Sequence, residues 1–169
     1  MKEQLYSASL DHKAKTISLI LLVLISVLTV FVVFVGLSMP EDFIEILGAT
    51  LGLWFLIGFY YSRSVRGYLL QEKELVIKKF FSSYRIPIVS IKEVTLLKEP
   101  GFKDLKSMTG SAGLFGYEGM YRDNAVGEMK WQATQKKNFI LLVLDSGLKI
   151  VITPDDPGLA DHLQSALKK

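Results

Sequence analysis

The stretch "NFILLVLDSGLKIVITPDDPGLADHL", residues 138–163, decides the fold. Two apolar runs, 138–144 and 148–153, flank Asp145, Ser146 and Gly147. Glycine at the end of so short a connection accepts a positive φ, so the pair is expected to form a β-hairpin. In its second strand Leu148, Ile150 and Ile152 fall on one face. The period then changes. Leu159, Leu163, Ala166 and Leu167 recur at helical spacing. Asp155 or Asp156 is the expected N-cap, Pro157 sits in the first turn, and Lys168 and Lys169 complement the negative end of the helix dipole. Strands followed by one amphipathic helix point to an α+β domain whose helix covers a bent antiparallel sheet.

Upstream segments extend that sheet. "RGYLL" (66–70) and "LVIKKF" (75–80), joined by "QEKE", read as a hairpin. In "YRIPIVSI" (84–91), Tyr84, Ile86 and Ile88 alternate with Arg85, Pro87 and Val89. Pro87 has no N–H to give to a ladder, which predicts an edge strand or a bend. "IKEVTLL" (91–97) is a further strand. In all, six or seven strands are expected before the helix.

Between these strands lies "TGSAGLFGYEGMYR", residues 109–122, where Gly110, Gly113, Gly116 and Gly119 recur every third position. The spacing is neither a Walker loop nor a dinucleotide fingerprint: no Lys-Ser/Thr follows Gly119, and no Gly-x-Gly occurs. Three readings stay open. Gly113, Leu114, Phe115, Gly116, Tyr117, Gly119, Tyr121 and Arg122 form a lipid-dipping loop, a protein-partner surface, or a segment that folds its rings onto the sheet to close the barrel. The packing of Phe115 and Tyr117 separates them.

The amino-terminal third has another character. No charged residue occurs from Thr16 to Pro40, and seventeen of the twenty-one positions at 17–37 are Leu, Ile, Val or Phe. Helical insertion of those seventeen is favoured by about 5–10 kcal/mol as an upper bound. The run exceeds the apolar core of a cleavable signal peptide. A second uncharged run, 46–62, carries Trp54, with Tyr60 and Tyr61 at its end. The expected organisation is a cytoplasmic segment 1–15, a transmembrane hairpin 16–62 with spans of about 16–38 and 44–62, and a cytoplasmic domain 63–169. Lys13 and Lys15 precede the first span and Arg63 and Arg66 follow the second, while the connecting turn carries only acids. That places both termini on the cytoplasmic side of the cell membrane. Gly48 and Gly52, four apart, share a helix face and are expected to pack against the first span in preference to a second copy.

The segments "GYLLQEKELVIKKFFSSYRIPIVSIKEV", "GSAGLFGYEGMYR" and "NFILLVLDSGLKIVITPDDPGLADHL" together resemble membrane-anchored bacterial pleckstrin-homology-like (PH-like) proteins. The resemblance spans about residues 66–167 and implies a PH-like barrel behind a transmembrane hairpin. Such relatives usually carry a second aromatic where this chain has Glu118, and an Arg upstream of the glycine run where it has Ser107, Met108 and Thr109. A fold of this kind hosts many functions, and no catalytic residue carries over.

The residue inventory narrows the chemistry. There is no cysteine and only His12 and His162, which removes thiolate and multi-histidine metal sites. Asp155 and Asp156 read as helix caps, not metal ligands. Net charge is +3, and Lys78, Lys79, Arg85, Lys103, Lys106, Arg122, Lys136 and Lys137 alternate with acids. That pattern fits a solvated face better than a lipid patch, and offers no nucleic-acid site. No nucleophile–base–orienter pattern is visible. The expectation is a non-enzymatic, cofactor-free module that binds a protein partner or anionic lipid headgroups at the membrane. The alternative is an accessory or assembly subunit of a larger membrane complex.

Overall fold

A computed structural model describes residues 3–38, 43–97 and 102–168. The expected turn at 39–42 and the terminal Lys169 lie outside these residues. Two long helices, α1 (His12–Ser38) and α2 (Phe43–Arg63), follow a short strand β1 (Gln4–Ser7). Then come β2 (Val65–Leu70), β3 (Glu74–Lys79) and β4 (Ser83–Pro87), a 3-10 turn at Ile88–Ser90, and β5 (Ile91–Leu96). Strands β6 (Lys106–Gly110), β7 (Tyr117–Asp123), β8 (Gly127–Ala133), β9 (Ile140–Leu144) and β10 (Lys149–Ile152) lead to helix α3 (Leu159–Leu167).

The strands form two sheets, ordered β1-β2-β3-β4 and β5-β9-β10-β8-β7-β6. All pairings are antiparallel except β10 with β8. The β9–β10 hairpin inserts its second strand beside β8, and two reversals leave β10 running in the same direction as β8. The expected hairpin is therefore present, with Gly147 at φ +81°, in a sheet that is mixed instead of wholly antiparallel.

The central strands are covered on both faces, which explains their unbroken apolar runs. Ile140, Leu142, Ile150 and Ile152 face a core with Tyr68, Leu75, Ile77, Ile86 and the α3 residues Leu159 and Leu163. Leu141 and Val151 face a second core around Trp131, Tyr117, Tyr121, Met129 and Phe139. There Trp131 stacks on Tyr121 at a 4.5 Å centroid distance.

Several expectations are corrected. Segment 1–15 contains an edge strand, β1, whose Tyr6 is buried and hydrogen-bonded through its hydroxyl to His162 Nδ1. The edge position and the bend that Pro87 predicted are both present: β4 lies at the sheet edge, and a 3-10 turn follows Pro87. Ten strands occur among the described residues: β1 and β8 are additional to those expected, and the glycine-rich run contributes to β6 and β7. Neither Asp155 nor Asp156 caps α3: Gly158 holds that position without a side-chain cap. Asp155 instead accepts from the Ser9 N–H and Oγ, tying the amino-terminal segment to the domain.

The helices α1 and α2 touch through Gly36, which lies under the Phe43 ring, and through Trp54 Nε1–H, which donates to Thr29 Oγ1 at 2.9 Å. Among the described residues nothing lies within 4 Å of a Cβ at Gly48 or Gly52, so they do not pack on α1. Close approach occurs instead at Gly36, and the Trp54–Thr29 hydrogen bond joins the helices further along.

Candidate functional site

The glycine-rich run folds back on itself. Gly110 and Gly119 are cross-strand partners at φ +124° and +143°. A Cβ on Gly110 would lie 1.9 Å from Glu118 O, and one on Gly119 would lie 2.0 Å from Thr109 O. Only glycine permits both the angle and the approach. Ser111 Oγ closes the turn by donating to Gly116 O and accepting from Glu118 N–H.

This turn is the junction between the domain and the helical hairpin. Phe115 and Tyr117 are both buried. The Phe115 ring meets Tyr61 of α2 edge-on at 5.2 Å, and its N–H donates to Ser18 Oγ of α1 at 2.9 Å. Tyr117 donates its hydroxyl to the Asp11 carboxylate at 3.1–3.2 Å. Asp11 also caps α1 by accepting from Ala14 N–H, and it accepts from Lys136 N–H. Burial first, then the Asp11 charge, pushes the Tyr117 phenol well above its ordinary range.

Glu118 forms the second tie. Arg63, the last residue of α2, reaches it with Nη2 at 3.0 Å and Nε at 3.3 Å. Lys79 of β3 pairs with the same carboxylate, and Gln132 Nε2 lies at 3.4 Å. Burial would raise the Glu118 pKa, but the hydrogen bonds and charges of Lys79 and Arg63 outweigh it and hold the carboxyl below its usual range. Where relatives are expected to carry an aromatic, this chain has an acid that grips its own helix. Lys79, expected on a solvated face, is thereby half-buried.

The remaining expected positions separate. Tyr121 is buried on Trp131, and Arg122 is exposed on β7 opposite Glu128. Gly113 and Gly116 are buried, with Ile17 against the former. Leu114 is half-buried and lines a 240 Å³ cavity with Phe59, Tyr60, Arg63 and Glu118. A second recess, of about 250 Å³, lies where both helices meet the domain. Its lining includes Lys15, Tyr61, Ser64 and Arg66. Ser64 Oγ is buried there with no hydrogen-bond partner among the described residues.

Sequence reasoning missed Asp11, Ser18 and the Arg63–Glu118–Lys79 cluster. Asp11 had a readable signal, an N-cap residue type five positions ahead of the uncharged run that begins at Thr16. The others are distant in the chain, and nothing local marks them.

The helices are long and apolar enough to cross a membrane, and only 17% and 11% of their most hydropathic stretches are buried. They fit membrane association. No curated protein and no solved structure matches the chain. The bacterial PH domain family matches residues 66–167, from β2 to the end of α3 and more than half of the sequence. With its two sheets, closing helix and apolar hairpin, the chain belongs to the bacterial PH domain family.

Proposed function

We propose that the protein is a non-enzymatic module, anchored by α1 and α2 as a two-span hairpin, that binds anionic lipid headgroups at the cytoplasmic face of the cell membrane. The observation that carries this reading is the recess at the helix ends. Lys15 and Arg66 line it from opposite sides of the junction, beside the unpaired hydroxyl of Ser64. A phosphate oxygen would satisfy that hydroxyl, and each cation near an anionic leaflet is worth about 1 kcal/mol. The bases at Lys13, Lys15, Arg63 and Arg66 support a cytoplasmic placement of this end. Strand β1 precedes α1 and completes a sheet of the domain, so loss of α1 by cleavage would remove part of the fold.

Lipid analysis of the full chain extracted from mixed phosphatidylcholine–phosphatidylglycerol bilayers tests the reading. Enrichment of the anionic lipid, lost in Lys15→Gln/Arg66→Gln, is expected. Equal retention by the double variant overturns it.

An assembly role has its own support. Gly48 and Gly52 lie on a face of α2 with no neighbour within 4 Å among the described residues, which leaves room for a further helix. Co-purification of a stoichiometric membrane protein, lost in Gly48→Leu, would favour that role over lipid binding.

A further inference from the structure

The β3–β4 connection, residues 80–82, places two phenylalanines where turns normally use Gly, Asn, Asp or Ser. Phe81 is 80% exposed and Phe80 46%. The two rings meet edge-on at 4.7 Å, and Phe80 packs on Tyr61 at 4.8 Å. Tyr61 belongs to the last turn of α2, two residues before Arg63 ends the helix. The turn tip therefore sits at the height where α2 leaves the apolar layer.

Charge agrees with this placement. Arg66 bulges out of the β2–β3 pairing, and its guanidinium covers both Tyr61 and Phe80, at 4.8 and 5.2 Å. Lys78 is exposed next to the turn. No acid occurs at 59–69 or 76–88. Glu118 reaches this side but is consumed by Arg63 and Lys79. Aromatic rings beside cations that have no carboxylate partner among the described residues are the composition of a membrane-interface contact.

We propose that the Phe80–Phe81 tip inserts into the headgroup region of the same leaflet from which α2 emerges, giving the domain a third membrane contact beyond its two helices. The inference rests on α1 and α2 spanning the bilayer; it shares Arg66 and Tyr61 with the Lys15/Arg66 recess but needs no anion bound there. The rings dock the four-stranded sheet edge-down, while Arg66 and Lys78 meet lipid phosphates.

The cysteine-free chain allows a direct test. Phe81→Cys, Val89→Cys and Val30→Cys are each labelled with an environment-sensitive fluorophore in the full chain. The proteins are reconstituted in phosphatidylcholine–phosphatidylglycerol vesicles containing lipids with shallow or deep nitroxides. Val89 is 88% exposed at the far end of β4, and Val30 is 71% exposed on α1. The proposal expects the label at 81 to be quenched by shallow nitroxides at least about twofold more than the label at 89. The label at 30 should respond best to deep nitroxides. Equal quenching at 81 and 89, with 30 quenched, overturns the tip insertion and leaves the anchor standing. No lipid quenching at any position removes the anchor and the tip together. A label at 81 shielded from water but unquenched, with energy transfer between copies, assigns the tip to self-association and also overturns the proposal.

Discussion

Two aromatic turns flank the helix ends, and they use their rings in opposite ways. In the glycine-rich turn the rings of Phe115 and Tyr117 point inward and are buried against α2 and α1. In the β3–β4 turn Phe81 projects outward and Phe80 is only partly covered. The difference lies in the backbone. Four glycines at positive φ, with Ala112 and Phe115 also there, let the first turn reverse tightly and press against the hairpin. The second is a short connection whose Lys79 N–H bonds Ser82 O, with no slack to fold its tip back. Aromatic content alone does not distinguish a structural turn from an interfacial one. The freedom of the chain around it does.

The largest effect should come from removing the backbone device. Gly119→Ala forces a Cβ into Thr109 O at a left-handed φ. It is expected to cost roughly 3 kcal/mol or more. Thermal unfolding of the full chain in detergent measures this, and a variant as stable as the parent would show that the turn can relax. Next comes the charge tie. Glu118→Gln leaves Lys79 half-buried without its carboxylate and should cost roughly 2–3 kcal/mol. Because the folded pKa of Glu118 is depressed, the tie is fully present above the unfolded value of about 4.3 and is lost as pH falls through the folded one. Acid melts of the parent should fall more steeply than those of Glu118→Gln.

Smaller again is Tyr117→Phe, which removes one hydrogen bond to Asp11 and should cost about 1 kcal/mol. In the parent, tyrosinate absorbance of this residue should appear only at pH values above those of an ordinary phenol. Its raised folded pKa means the stabilisation is whole below about pH 10 and declines as pH rises through the folded value. Smallest is Phe81→Ser, within about 0.5 kcal/mol of the parent in detergent, since Phe81 buries little in the protein. A cost comparable to Glu118→Gln would erase the contrast between the two turns.

Much of the architecture was legible in the residues. The β9–β10 hairpin, the amphipathic face of α3 and both apolar helices follow from local period, and local period needs no partner to be read. Pro87 marked an edge strand because a missing N–H is a local property too. Strand β1 was not legible: four residues carry too little pattern, and Gln4–Ser7 is a strand only because β2 offers it an edge. The roles of Phe115 and Tyr117 were narrowed to three, and burial against α1 and α2 placed both rings in the protein's interior.

By itself, then, the order of residues determined what each segment is: a pair of apolar helices, a set of strands, a closing helix, and a turn that glycine alone can make. Only the tertiary structure decided what each segment meets. It set Glu118 against Arg63 and Lys79, Tyr117 against Asp11, and Phe80 against Tyr61, across separations of 19 to 106 residues. The physical reason is range. Propensity and periodicity act over a few neighbouring residues, whereas ion pairs, buried hydroxyls and ring contacts depend on which surfaces the folded chain brings together.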